Sequence, residues 1–242
     1  MKKHLSVFML LARSTFYKVL GIIILMCGVE FALFSRAVAR ARQDGNPGLE
    51  YAIEKSWLVF VFIAALLTMV YILIPGIGNK KSKTQYTMNR LQISENWIFF
   101  WQSLYNTLCF ALIILVQTAA AIALCHYYVQ FAEDPTVTRH TIFLAFYRND
   151  FFHSLLPFDE PASIAANILT VFAMGHSAAL CTMAERYKRG NFASFIGAYT
   201  MICFVRRDTG DFLNNMTIFI LTAIVIIYTV YFLLTKEDHH VR

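Results

Sequence analysis

Charge is scarce in this chain. Asp, Glu, Lys and Arg make up 15% of its 242 residues, while 58% are apolar. A soluble domain carries roughly 25% charged residues, so this composition, with a mean hydropathy of +0.54, does not describe one. Linkers and low-complexity segments are missing, which leaves a single membrane domain over 1–242. The cysteines (Cys27, Cys109, Cys125, Cys181 and Cys203) are odd in number, form no C-x-x-C and lie in apolar stretches. They read as small buried thiols, not as disulfides or metal ligands. Met1–Leu20 is basic, yet no A-x-A-like cleavage site follows, so a cleaved signal peptide is not expected. Gly76-Ile77-Gly78-Asn79-Lys80-Lys81-Ser82 only superficially resembles a phosphate loop, because Lys81 stands where G-x-x-x-x-G-K-[ST] needs glycine. Neither G-x-S-x-G nor H-E-x-x-H occurs. The expectation is a chain that is no enzyme, holds no cofactor or metal and binds no nucleic acid. Its net charge of +6 suits the inner leaflet of a bilayer instead.

What the chain has is apolar length. Six stretches run over Val19–Ser35, Trp57–Ile74, Leu108–Tyr128, Ala162–Met183, Phe192–Val205 and Met216–Thr235. Most have the ~17–25 residues that cross ~30 Å of hydrocarbon as a helix. Phe192–Val205, with 14 residues, is short, and either crosses a thinned bilayer with Arg206 and Arg207 snorkelling or dips in and returns. The expected fold is all-α: a polytopic membrane protein with six transmembrane helices and an N-terminal interfacial helix over His4–Lys18. With the N-terminus inside and six crossings, 13 Lys and Arg fall on the inner side and 8 on the outer. Both termini are then cytoplasmic in a cell membrane.

Four regions invite closer reading. Thr84–Asn96 can form a short helix leading into an overlong apolar region, Trp97–Tyr128, of 32 residues. Gln102, Asn106 and Gln117 cluster on one face of that region, and Ser163, Asn167, Thr170 and Ser177 on one face of the fourth stretch. Such stripes suit helix contacts or the wall of a hydrated path. Glu30, the one carboxylate inside a stretch, sits near the outer end of the first and can reach the interface or pair with Arg36, whereas proton coupling would want a carboxylate nearer the midplane with a defined partner. His176 and Ser177 point about 100° apart on a helix, so they make no nucleophile–base pair, and His176 reads as a hydrogen-bonded interior histidine. Outside, Thr136–Pro157 is aromatic and serves either as a lid or as the packed end of two spans.

Taken in order, the layout resembles the permease subunit of an ABC-2-type ABC transporter. It has a basic lead-in at Lys2–Lys18, two spans, a connector with a short helix at Thr84–Asn96, a long third span, a basic turn at Glu185–Gly190 and two closing spans. Tyr86–Asn106 (YTMNRLQISENWIFFWQSLYN) is the part most like bacterial members. The resemblance implies two permease chains, identical or different, around a central pathway, with ATP held by separate ATP-binding subunits. The first connector is then the coupling helix, with Tyr86 and Leu91 as apolar anchors and Arg90 and Glu95 as polar contacts. Gln102, Asn106, Gln117, Asn167, Thr170 and Ser177 fall to the pathway or the subunit interface. One departure is clear: Arg206–Asn215 is too short for the re-entrant outer helices of many members. The reading from another class is a non-transporting immunity or assembly factor that acts by binding.

Overall fold

The computed structural model describes residues 2–43, 48–74, 94–131, 139–157, 160–186 and 212–237. Eight α-helices fill them, and no strand occurs among them. The first, α1 (Lys2–Gln43), is 42 residues long, or ~63 Å at ~1.5 Å per residue. Its buried positions, Val7, Leu11, Thr15, Val19, Met26, Glu30, Phe34, Ala37 and Ala41, keep a helical spacing from one end to the other. That continuous face corrects the expectation of a separate interfacial helix. His4–Lys18 is the beginning of α1, because its apolar residues extend the stripe of the span instead of forming a second, sideways-facing one.

Gly48 leads into α2 (Leu49–Lys55), which is followed by α3 (Leu58–Leu73). The two are bent by 44° at Trp57, whose backbone is left-handed (φ 57°, ψ 23°). That conformation is uncommon for a bulky residue. Next comes α4 (Glu95–Phe131), 37 residues long, then α5 (Arg139–Arg148), α6 (Asp150–Leu155), α7 (Pro161–Arg186) and α8 (Phe212–Glu237).

Side-chain contacts give the directions. Phe8 meets Trp101 and Tyr105 at ring-centroid distances of 6.2 and 5.7 Å, and Phe31 meets Tyr127 at 5.2 Å. The Arg42 guanidinium donates to the Phe131 carbonyl. So α1 and α4 run parallel. Gly175 lies against Thr107, and His176 against Ser103 and Phe99, so α7 runs antiparallel to α4. Asn215 donates to Ser163 at 3.1 Å near the start of both helices, and His176 meets Thr229 at 2.9 Å further along, so α7 and α8 are parallel. The end of α3 reaches the end of α7, where the Thr182 hydroxyl donates to the Ile74 carbonyl.

The short helices α2, α5 and α6 gather where α1 and α4 finish. There Phe62 packs on Phe151 (5.8 Å), and Arg148 pairs with Glu50 at 3.3 Å. Phe146, Phe151, Phe152 and Leu155 are buried, so the aromatic segment after α4 is a packed cap.

Four described helices, α1, α4, α7 and α8, are long and apolar enough to cross a membrane, or five if α2 and α3 form one bent span. Six were expected. Phe192–Val205, the fifth stretch, lies outside the described residues. Large apolar side chains cover the outer surface, for example Ile24 (63% exposed), Leu25 (68%) and Ile227 (68%). A soluble protein rarely exposes contiguous apolar surface on this scale, whereas helices with all backbone groups paired internally can present it to lipid.

Candidate functional site: polar contacts inside the helix bundle

A polar side chain inside a membrane bundle is costly unless it is paired, so each one marks a packing contact or a site. His176 is the best paired. Its Nδ1 lies 2.8 Å from Ser103 Oγ on α4, and its Nε2 lies 2.9 Å from Thr229 Oγ1 on α8. The Thr229 hydroxyl donates to the Val225 carbonyl at 2.7 Å, which leaves its oxygen to accept. One arrangement therefore satisfies every group: His176 Nε2–H donates to Thr229, and Ser103 O–H donates to Nδ1 of a neutral imidazole. Phe172 stacks on the ring at 5.2 Å, and Phe99 meets it edge-on at 5.0 Å. One histidine thus ties three helices together. Ser177 turns away and donates to the Met174 carbonyl, so the pair has no hydrolase geometry.

Glu30 is the worst paired. It is fully buried, and among the described residues neither carboxyl oxygen has a hydrogen-bond partner of normal geometry. Its neighbour across the α1–α4 contact is Gln117, also fully buried, whose amide oxygen and nitrogen both lack one too. The pairing with Arg36 suggested by the sequence is not made: Arg36 is exposed and Glu30 faces the bundle.

The other expected pathway or interface residues lie on α4 and α7. Gln102 and Asn106 are buried on α4, with Asn106 Nδ2 unpartnered. Asn167 is half-buried and donates to the Ser154 carbonyl of α6 at 2.8 Å. Thr170 is buried and donates to Ala166 O of its own helix. These contacts staple α7 to the cap and to itself. Of the coupling residues, Glu95 opens α4 and is half-exposed, while Tyr86, Arg90 and Leu91 lie outside the described residues.

Ser103, Thr229, Thr15 and Gly175 were missed from the sequence. Thr15 Oγ1 lies 2.7 Å from Tyr105 Oη, tying the start of α1 to α4. Spacing offered one signal, since Ser103 and His176 each sit beside a residue of a recognised stripe. Among the described residues Cys109, Cys125 and Cys181 are buried and Cys27 is half-buried, and none of the four is in a disulfide. At the capped end an open cavity of about 450 Å³ lies between the α2–α3 bend and α6, lined by residues including Glu54, Trp57 and Asp150.

The class defined by these features is an α-helical protein with several helices fit to span a membrane. Neither a protein-family model, nor a curated protein, nor a solved structure matches the chain.

Proposed function

We propose that this chain is the membrane-spanning permease subunit of an ATP-driven exporter of the ABC-2 type, working with a second permease chain and with separate ATP-binding subunits. The observation that carries the reading is α4. It begins at Glu95, where the connector ends, and continues unbroken to Phe131, ~55 Å at ~1.5 Å per residue. Along that length it touches α1, α3, α7 and the cap helices α5 and α6. A push on the connector at one end is thereby delivered to the cap at the other.

The helix directions support six crossings. α7 and α8 run parallel, with Asn215 beside Ser163 near the start of both, which supports the expected crossing by Phe192–Val205 between them. The Lys/Arg bias then places both termini, and the connector, in the cytoplasm of a cell membrane.

Purification of the tagged full chain from its own host in mild detergent tests the reading. Stoichiometric recovery of a polypeptide with ATP-binding motifs is expected. Recovery of the chain alone, or with a partner that binds no ATP, rejects the permease reading in favour of an immunity or assembly factor.

A further inference from the structure

Gln117 lies close to the midpoint of the apolar stretch Leu108–Tyr128, nine residues from one end and eleven from the other. Glu30 faces it, so the carboxyl group sits near mid-membrane depth, although in the sequence it stands five residues from the end of its own stretch. Among the described residues the surroundings offer no counter-charge. On α4, no Asp, Glu, Lys, Arg or His occurs between Asn96 and Cys125, and α3 carries none at all. The charged residues of α2 (Glu50, Glu54 and Lys55) are exposed at the capped end, as are Arg36 and Arg40 of α1 and His126 of α4. Besides Gln117, the Cys27 thiol one turn away is the titratable group placed near Glu30. A carboxylate shielded from water with neither cation nor hydrogen bond is far costlier than a carboxylic acid there. An amide is a suitable neighbour for either form, since its oxygen accepts from the acid and its N–H donates to the carboxylate.

We propose that Glu30 and Gln117 form an exchangeable proton site in the middle of the bilayer. While α1 lies on α4, Glu30 is the neutral acid. When the two helices part, water reaches it, the O–H bond breaks heterolytically, and the proton passes to water or a solvent base and leaves the carboxylate behind. Protonation and α1–α4 contact are then linked: acid favours the closed pair and alkali the open one. The site takes a proton and not a metal ion, because the two side chains supply at most three oxygen atoms where cations such as Ca²⁺ need about six or more. It stands apart from the exporter reading and holds whether or not an ATPase partner exists.

The full-length chain in lipid nanodiscs is the material for the test. Infrared spectra at neutral pH should show a carboxylic-acid carbonyl band that shifts in Glu30→Asp and vanishes in Glu30→Gln. On alkalinisation the band should fade in the parent as its thermal stability drops. Glu30→Gln should keep the parent's acidic stability and lose that part of the pH dependence. Glu30→Asp, which keeps an acid, guards against a folding failure of the glutamine variant. A parent with no acid band at neutral pH overturns the proposal. So does a band that survives alkali with identical pH profiles in parent and Glu30→Gln, which would mark a permanently neutral core residue. Rescue of the alkaline parent by added sodium or potassium chloride, absent in Glu30→Gln, would assign the site to a cation and overturn it as well.

Discussion

Gly175 of α7 lies so close to Thr107 of α4 that a β-carbon on it would stand 2.3 Å from Thr107 Oγ1, 2.5 Å from the Thr107 backbone nitrogen and 2.6 Å from its Cα. Two of those three atoms are backbone and cannot swing aside. The contact brings the helix axes together one residue from His176 and four from Ser103, so the close approach and the histidine bridge depend on each other. Small residues at membrane helix crossings permit this kind of backbone approach.

Gly175→Ala is therefore expected to wedge α4 from α7 and to cost ~1–3 kcal/mol or more, the range for overpacking a tight contact. The melting temperature in detergent reads the effect. Thr107→Ala should not rescue the variant, because the obstructing nitrogen and Cα remain. Gly21→Ala is the control: nothing lies within 4 Å of its added carbon, so stability should hold. A Gly175→Ala chain as stable as the parent would show that the helices slide apart at no cost.

Ser103→Ala and Thr229→Val should each leave one imidazole nitrogen of His176 without its partner. Interhelical hydrogen bonds in membrane bundles average ~0.6 kcal/mol and reach ~1.7. A loss of ~1 kcal/mol is expected for each variant, measured by unfolding in mixed micelles. In a His176→Phe background both losses should shrink toward zero, since the partner is gone. Undiminished losses there would mean that Ser103 and Thr229 stabilise the bundle by some other contact.

Much of the fold was legible because lipid imposes it. Apolar length is written in the chain, as is the overlong third span, and the structure shows both. Pairing was not legible. The lead-in looked interfacial because its cations stand out in the sequence, whereas its buried stripe becomes visible only once Phe8 and Thr15 are set against Trp101 and Tyr105. Glu30 looked peripheral because depth was counted along its own stretch. The length of α1 and its register with α4 put Glu30 opposite Gln117. The polar stripes were legible as stripes, but which groups they bond depends on neighbours that a helical wheel does not contain.

That distinction separates Asn167 from Gln117, which look alike in the sequence. Asn167 donates to the Ser154 carbonyl, so Asn167→Leu removes a bond between α7 and the cap and should destabilise by ~1 kcal/mol. Gln117 faces only Glu30, and neither of its polar atoms has a partner of normal hydrogen-bond geometry among the described residues, so at acidic pH Gln117→Leu should cost less than Asn167→Leu. Ile168→Leu, at an exposed position, should change nothing. The paired melting curves decide, and an equal loss for Asn167→Leu and Gln117→Leu would refute the assignment of their partners.

The connector carries the last expectation. Glu95 is both the first residue of α4 and the last of the four candidate coupling residues, so any helix formed by Thr84–Asn96 feeds directly into the longest described span after α1. A partner that closes on ATP would press there, and a stiff α4 would carry the displacement past the Ser103–His176 bridge to the cap. At such a joint the apolar anchors Tyr86 and Leu91 should carry most of the binding, because truncating an anchor that fills a pocket costs ~2 kcal/mol or more while charges on the rim cost less. Tyr86→Ala combined with Leu91→Ala is expected to reduce ATPase co-purification more than tenfold, with ~1.4 kcal/mol corresponding to each factor of ten. Arg90→Ala should do so only modestly, and insertion into the membrane should be unaffected in every variant. The decisive comparison is the yield of partner per copy of this chain. If the double variant retains the parental yield, and hydrolysis is still stimulated to the parental level, force enters this protein somewhere other than the start of α4.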